Sequence, residues 1–256
     1  SRAARTGKPP RRQHEALGES PHFAVRQPDC RIWVYVWQTR HKRIAEIIAK
    51  YKFSDPEERV RLLHTVVKHV NPSVQLERRF VGDLCNSDYG IRGLPNPEDR
   101  IDLYEILVKI DPTHRIPRHR LISELLNRGE LELAAVTISD AEEAVGSDPP
   151  IHRYKVLLTL EQSRQDELLP EDRRALLRVA KQEAERGLEI FKDNKYQYFV
   201  FNDVAMEWLT VTGSSEWLSE SLKRLRGAYE TLLDPHIREE AESAERTLRQ
   251  VTSKKR

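Results

Sequence analysis

The stretch Leu121-Ile122-Ser123-Glu124-Leu125-Leu126-Asn127-Arg128-Gly129-Glu130-Leu131-Glu132-Leu133-Ala134, followed by Ile138 and Ala141 and closed at Asp148-Pro149, decides the fold. Leu121, Ile122, Leu125 and Leu126 recur at the three- and four-residue spacing of one helical face. Gly129 interrupts that period, and Leu131, Ala134, Ile138 and Ala141 resume it on a second helix. Glycine permits the tight reversal that joins two helices. The small alanines let the two helices approach closely. Residues 115–148 are therefore expected to form a pair of antiparallel helices.

The same pattern continues on both sides. Toward the C terminus, apolar periods predict a pair over 151–165 and 170–191, then a pair over 196–212 and 216–233 around Gly213. A last helix over 237–251 suits the polar cap that a stacked array needs. Toward the N terminus, Asn96 caps a helix over 98–110 with Pro97 in its first turn. A weaker helix covers 73–84. Ser54 or Asp55 caps a helix over 56–70, and Thr39 caps one carrying Ile44, Ile47 and Ile48. Asp111-Pro112, Asp148-Pro149, Asp193-Asn194 and Asp234-Pro235 read as helix stops.

The fold expected is all-α, an irregular α-solenoid of antiparallel helix pairs with one short N-terminal extended segment. That segment is Arg31-Ile32-Trp33-Val34-Tyr35-Val36-Trp37, rich in β-branched and aromatic residues. A lone strand is not stable, so its partner is expected outside this chain, or else it packs on the first helix. Three regions follow: 1–29 as a flexible basic lead, 30–97 as an N-terminal helical subdomain with the strand, and 98–256 as the repeats.

The unit 115–148 resembles a tetratricopeptide repeat on Gly129, Leu131, Ala134, Ile138 and Ala141, with Gly146 where the closing proline belongs. A second resemblance begins at Trp37-Gln38-Thr39-Arg40-His41-Lys42-Arg43-Ile44-Ala45. It is similar to the region that follows the nucleotide-binding and winged-helix modules of bacterial STAND-type P-loop NTPases. That resemblance implies that the chain is the C-terminal sensor part of a larger switch protein, with a role in anti-phage defence. The sequence does not begin with Met, its single methionine being Met206, and on this reading it is expected to be a piece of that larger protein.

Composition narrows the chemistry. Charged residues make up 33% and hydrophobic ones 38% of 256 residues, which suits helices that bury one stripe and solvate the rest. A net charge of +2 leaves the whole chain without a strong nucleic-acid or membrane footprint. Positive charge gathers at the ends, in Arg2, Arg5, Lys8, Arg11 and Arg12 and in Lys254, Lys255 and Arg256. Two cysteines, Cys30 and Cys85, make no disulfide framework, so a cytoplasmic setting is expected. No apolar run is long enough to span a bilayer.

No motif for catalysis stands out. Thr6-Gly7-Lys8 lacks the first glycine and the Ser or Thr of a phosphate-binding loop. His64 and His69, and His114 and His119, are spaced off a common helical face. Cys85 has no neighbouring histidine to activate it and reads as a core thiol. Catalytic, metal and cofactor-binding residues are therefore expected to be absent, and the chain is read as a binding protein. His119, Ser123, Leu126 and Asn127 are the candidate contacts for a protein or peptide on the concave face of the array. Arg40 and His41 are the candidate contacts with a nucleotide-binding domain of the same larger protein. Tyr196, Tyr198, Phe199, Phe201, Trp208 and Trp217 are too close in sequence to face one side, so one or two should be exposed. The alternative is nucleic-acid binding through the basic N-terminal arm, which would show as a steep salt dependence.

Overall fold

A computed structural model describes residues 22–26, 33–37 and 54–254. The chain divides into two compact units, Ser1–Ser54 and Asp55–Arg256. In the first, β1 (His22–Arg26) pairs antiparallel with β2 (Trp33–Trp37). The register sets Phe23 opposite Val36 and Val25 opposite Val34. The extended segment thus finds its partner within the chain, inside the stretch expected to be a lead. Five residues, His-Phe-Ala-Val-Arg, are enough to pair but too few to stand out among prolines and arginines. The helix expected from Thr39 falls outside the described residues.

The described part of the second unit contains helices and no strand. They are α1 (Pro56–Lys68), α2 (Gln75–Asn86), α3 (Pro97–Ile110), α4 (Arg115–Asn127), α5 (Leu131–Val145), α6 (Pro149–Ser163), α7 (Pro170–Ile190), α8 (Lys195–Thr212), α9 (Glu216–Leu232) and α10 (Pro235–Lys254). A 3-10 turn, Ile91–Gly93, sits between α2 and α3. No described helix is long and apolar enough to cross a membrane.

Local chemistry sets the boundaries. Asp55, Asn96 and Asn194 each accept from the backbone N–H two residues on, and Asp148 accepts from Ile151 N–H. Proline follows the cap in α1, α3, α6 and α10, where its missing N–H costs nothing. Asp148-Pro149 and Asp234-Pro235, expected as stops, are helix starts. Gly129, Gly146 and Gly213 all have φ near +70°, a left-handed conformation that costs glycine little.

Packing follows chain order. From α3 to α10 each helix packs on the next, and alternate helices also touch, α2 on α4, α4 on α6, α6 on α8 and α8 on α10. The core is a relay of three clusters. The first runs from Leu63 to Ile151, the second centres on Leu177, Ala180, Ala184 and Phe201, and the third on Leu218, Leu225 and Ile237. Leu157 packs against the first two and Tyr198 against the last two. Ala134, Ile138 and Ala141 are all buried, as the spacing from Gly129 predicts. The division after Ser54 differs from the expected boundary at 97. Residues on both sides of 97 share the first cluster, and the Tyr104 hydroxyl donates to Cys85 O.

Candidate partner-binding groove

The row of alternate helices carries a groove of about 250 Å³. Its lining recurs in register. Counted from the caps His114, Asp148 and Asn194, the second residue is Ile116, Pro150 or Tyr196. The fifth is His119 on α4 and Arg153 on α6, and the sixth is Arg120 and Tyr154. The same helical positions therefore face one space on successive alternate helices. Asn86, at the end of α2, closes one end. A wider depression of about 610 Å³ adjoins it between α2 and α4, sharing Asn86 and Ile116 and adding Arg78, Arg79, Asp83 and Arg115.

Asp148, beside the lining residue Pro149, ties α4 to α6. Its carboxylate accepts from Ile151 N–H at 2.9 Å, and lies 3.2 Å from an Arg115 nitrogen and 3.1 Å from His119 Nε2. Burial pushes the Asp148 carboxyl up. The close approach of His119, the hydrogen bond from Ile151 N–H and the charge of Arg115 outweigh burial and hold it below the usual range. The His119 ring also lies tilted against that of Tyr154, their centres 6.2 Å apart. Burial raises the Tyr154 hydroxyl, against the charges of Arg153 and Arg120 and a hydrogen bond to Ser123.

The walls are basic and aromatic. Arg120 donates from both Nε and Nη2 to the Asn86 amide oxygen. The Arg153 guanidinium lies 5.5 Å from the centre of the Tyr196 ring, and its Nε is buried without a hydrogen-bond partner. Tyr196 is 48% exposed. Asp203 stands on α8, outside the groove lining. Burial and the charge of Glu240 push the Asp203 carboxyl up, with Arg153 and Arg164 opposing.

Of the expected contacts, His119 lines this groove, and Ser123 stands one turn further along α4 and bonds Tyr154. Leu126 does not reach it. It is 8% exposed and packs in the first cluster with Ile122, because it shares the buried stripe of its helix. Asn127 is exposed at the last turn of α4, beyond the groove lining. Arg40 and His41 lie outside the described residues. Arg120, Arg153 and Tyr154 were not singled out from sequence. Their signal is distance from a cap, which becomes readable only once the caps are known.

The remaining reactive groups are accounted for by structure. Cys85 is fully buried, and burial pushes its thiol up to about 12, so it stays protonated and unreactive. His64 faces Asp102, His69 Nδ1 meets Thr65 O and His114 Nε2 meets Arg78 O. Among the described residues no group of three or more His, Cys, Asp or Glu could hold a metal ion. Trp208 and Trp217 stack at 3.9 Å, Phe201 is core, and Tyr196 is the exposed member of the aromatic set. No protein-family model matches the chain, and neither a curated protein nor a solved structure matches it.

Proposed function

We propose that the helical unit is a tetratricopeptide-like α-solenoid that binds a protein or peptide ligand along the row formed by α2, α4, α6 and α8. The observation that carries this reading is the recurrence of groove-lining residues at fixed distances from successive helix caps. His114 and Asp148 stand 34 residues apart, one tetratricopeptide length. A relay of cores linked by shared helices is what stacking of repeats produces. Such a row offers a long, rigid surface whose side chains can read an extended segment at several points.

On this reading the module senses or scaffolds, and the stretch beginning at Trp37 supports its place as the sensor part of a larger regulated NTPase. Binding is the property to test first. A displayed library of random peptides is panned on the protein, and the selected peptides are measured against two variants. Ile116→Trp fills the groove, and Val136→Trp adds the same bulk at an exposed site on α5 (58% exposed). Loss of affinity with Ile116→Trp alone supports the reading. Equal affinity for both variants refutes it.

A further inference from the structure

The chemistry of the ligand follows from the cations in this groove. Arg120 and Arg153 belong to touching helices, α4 and α6, and both line the same space. Neither guanidinium meets a carboxylate within ion-pair distance among the described residues. Arg120 is held by a neutral amide and Arg153 by an aromatic face. Elsewhere on the unit, arginines such as Arg100, Arg164 and Arg224 are paired with glutamates. Arg79 adds a third cation on α2, exposed and outside any ion pair among the described residues. Asp148, the cap of α6, is already engaged by Arg115 and His119. Asp83 alone of the groove-lining acids opposes this field at the α2 end.

Resting on the reading of this groove as the binding surface, we propose that its ligand is an extended acidic peptide whose carboxylates pair with Arg120 and Arg153 while apolar side chains lie on Tyr154 and Tyr196. Arginine forks suit carboxylates in two-point contacts. Packed helix axes lie about 8–10 Å apart. A chain extended in the polyproline II form advances about 3.1 Å per residue and returns to one face every third residue, so carboxylates three residues apart span the two arginines.

The test uses a fluorescein-labelled peptide with glutamate at every third position, alternating with leucine and alanine, and its glutamine and lysine counterparts. Anisotropy titrations are run on the whole protein and on the Arg120→Gln/Arg153→Gln variant, with circular dichroism to show that the variant keeps its helices. The glutamate peptide should bind about tenfold more tightly than the glutamine one, and the variant should erase that preference. Equal binding of the glutamine peptide, or a preference that survives in the variant, overturns the proposal. If the glutamate peptide fails while library-selected peptides of other composition still depend on Ile116, the groove stands and the acidic ligand falls. If no peptide depends on the groove, both fall. A single-stranded oligonucleotide that outcompetes the peptide and is lost in the variant moves the assignment to nucleic acid.

Discussion

His119 Nε2 lies 3.1 Å from Oδ2 of Asp148, so the helix cap of α6 is held by a side chain of α4. The same carboxylate takes the Ile151 N–H and Arg115. One acid thus starts a helix and holds a neighbouring helix against it. Asp148→Ala removes a cap and takes the carboxylate from Arg115 and His119, and should cost about 2 kcal/mol at neutral pH. Asp148→Asn keeps a cap acceptor and should cost less. Because the folded carboxyl lies below its ordinary value, its contribution is present above about pH 4 and is lost as pH falls through the lowered value. Urea titrations at pH 7 and pH 3 check this. A gap between wild type and Asp148→Asn that persists at the acid end would contradict it.

His152 gives the same sign at a higher pH, since its folded value is also lowered. It is buried on α6, 3.4 Å from Glu183 and against the Phe191 ring. Burial lowers its affinity for a proton, Glu183 and Glu142 oppose, and Lys155 and Arg186 reinforce. The unfolded chain then binds the proton more tightly than the folded one, so stability falls as pH drops below about 6.5. His152→Gln should flatten thermal stability between pH 7.5 and 5.5. Parallel slopes for the two proteins would rule the assignment out.

Gly187 lies where α7 meets this cluster. A Cβ there would come within 2.5 Å of Gln197 Oε1 and 3.3 Å of His152 Nδ1. Gln197 cannot swing aside freely, since it is fully buried and donates from Nε2 to Pro149 O. Gly187→Ala gains about 1 kcal/mol of helix propensity but forces a polar side chain off its partner, which costs about 1–3 kcal/mol. The net is destabilising, read as a lower denaturation midpoint. A rise in midpoint would show that Gln197 yields.

These cases show which parts of the fold are legible in sequence. The packing of α4 on α5 is legible because Gly129, Ala134, Ile138 and Ala141 each have one local job. Asp148 and Asp234 are misread as stops, because an aspartate before proline looks alike at either end of a helix and only packing tells them apart. The groove is legible in part. His119 shows as a helix-face residue, but Arg120 and Arg153 are ordinary surface arginines until α4 and α6 touch. Leu126 misleads for the converse reason, since its stripe is shared between core and face.

Leu233 is the described non-glycine residue with positive φ, at +52°, and its side chain is 72% exposed. It ends α9 by donating its N–H to Tyr229 O. A left-handed backbone costs a leucine roughly 1 kcal/mol that glycine avoids. An exposed side chain returns little of that. Leu233→Gly should raise stability by about 0.5–1 kcal/mol, an increase of a few degrees in melting temperature for a unit of this size. An unchanged or lower melting temperature would mean that the side chain holds α10 in place.

Asp203 joins stability to binding. Its carboxyl is partly buried on α8 near Glu240, and its affinity for a proton is raised by that burial. A raised folded value means that the stabilising, protonated form is full below about pH 4 and is lost as pH rises through that value. At pH 7 the ionised carboxylate is therefore a cost, and Asp203→Asn should stabilise by on the order of 1 kcal/mol. The gain should shrink toward pH 4, where wild type is itself protonated. The substitution also removes the acid that draws on Arg153. If the groove takes an acidic segment, Asp203→Asn should bind the glutamate peptide more tightly than wild type and leave the glutamine peptide unchanged. A stabilised variant with unaltered peptide preference would make Asp203 a matter of folding alone. Tighter binding would show that this acid holds down the positive field of the groove at the cost of stability.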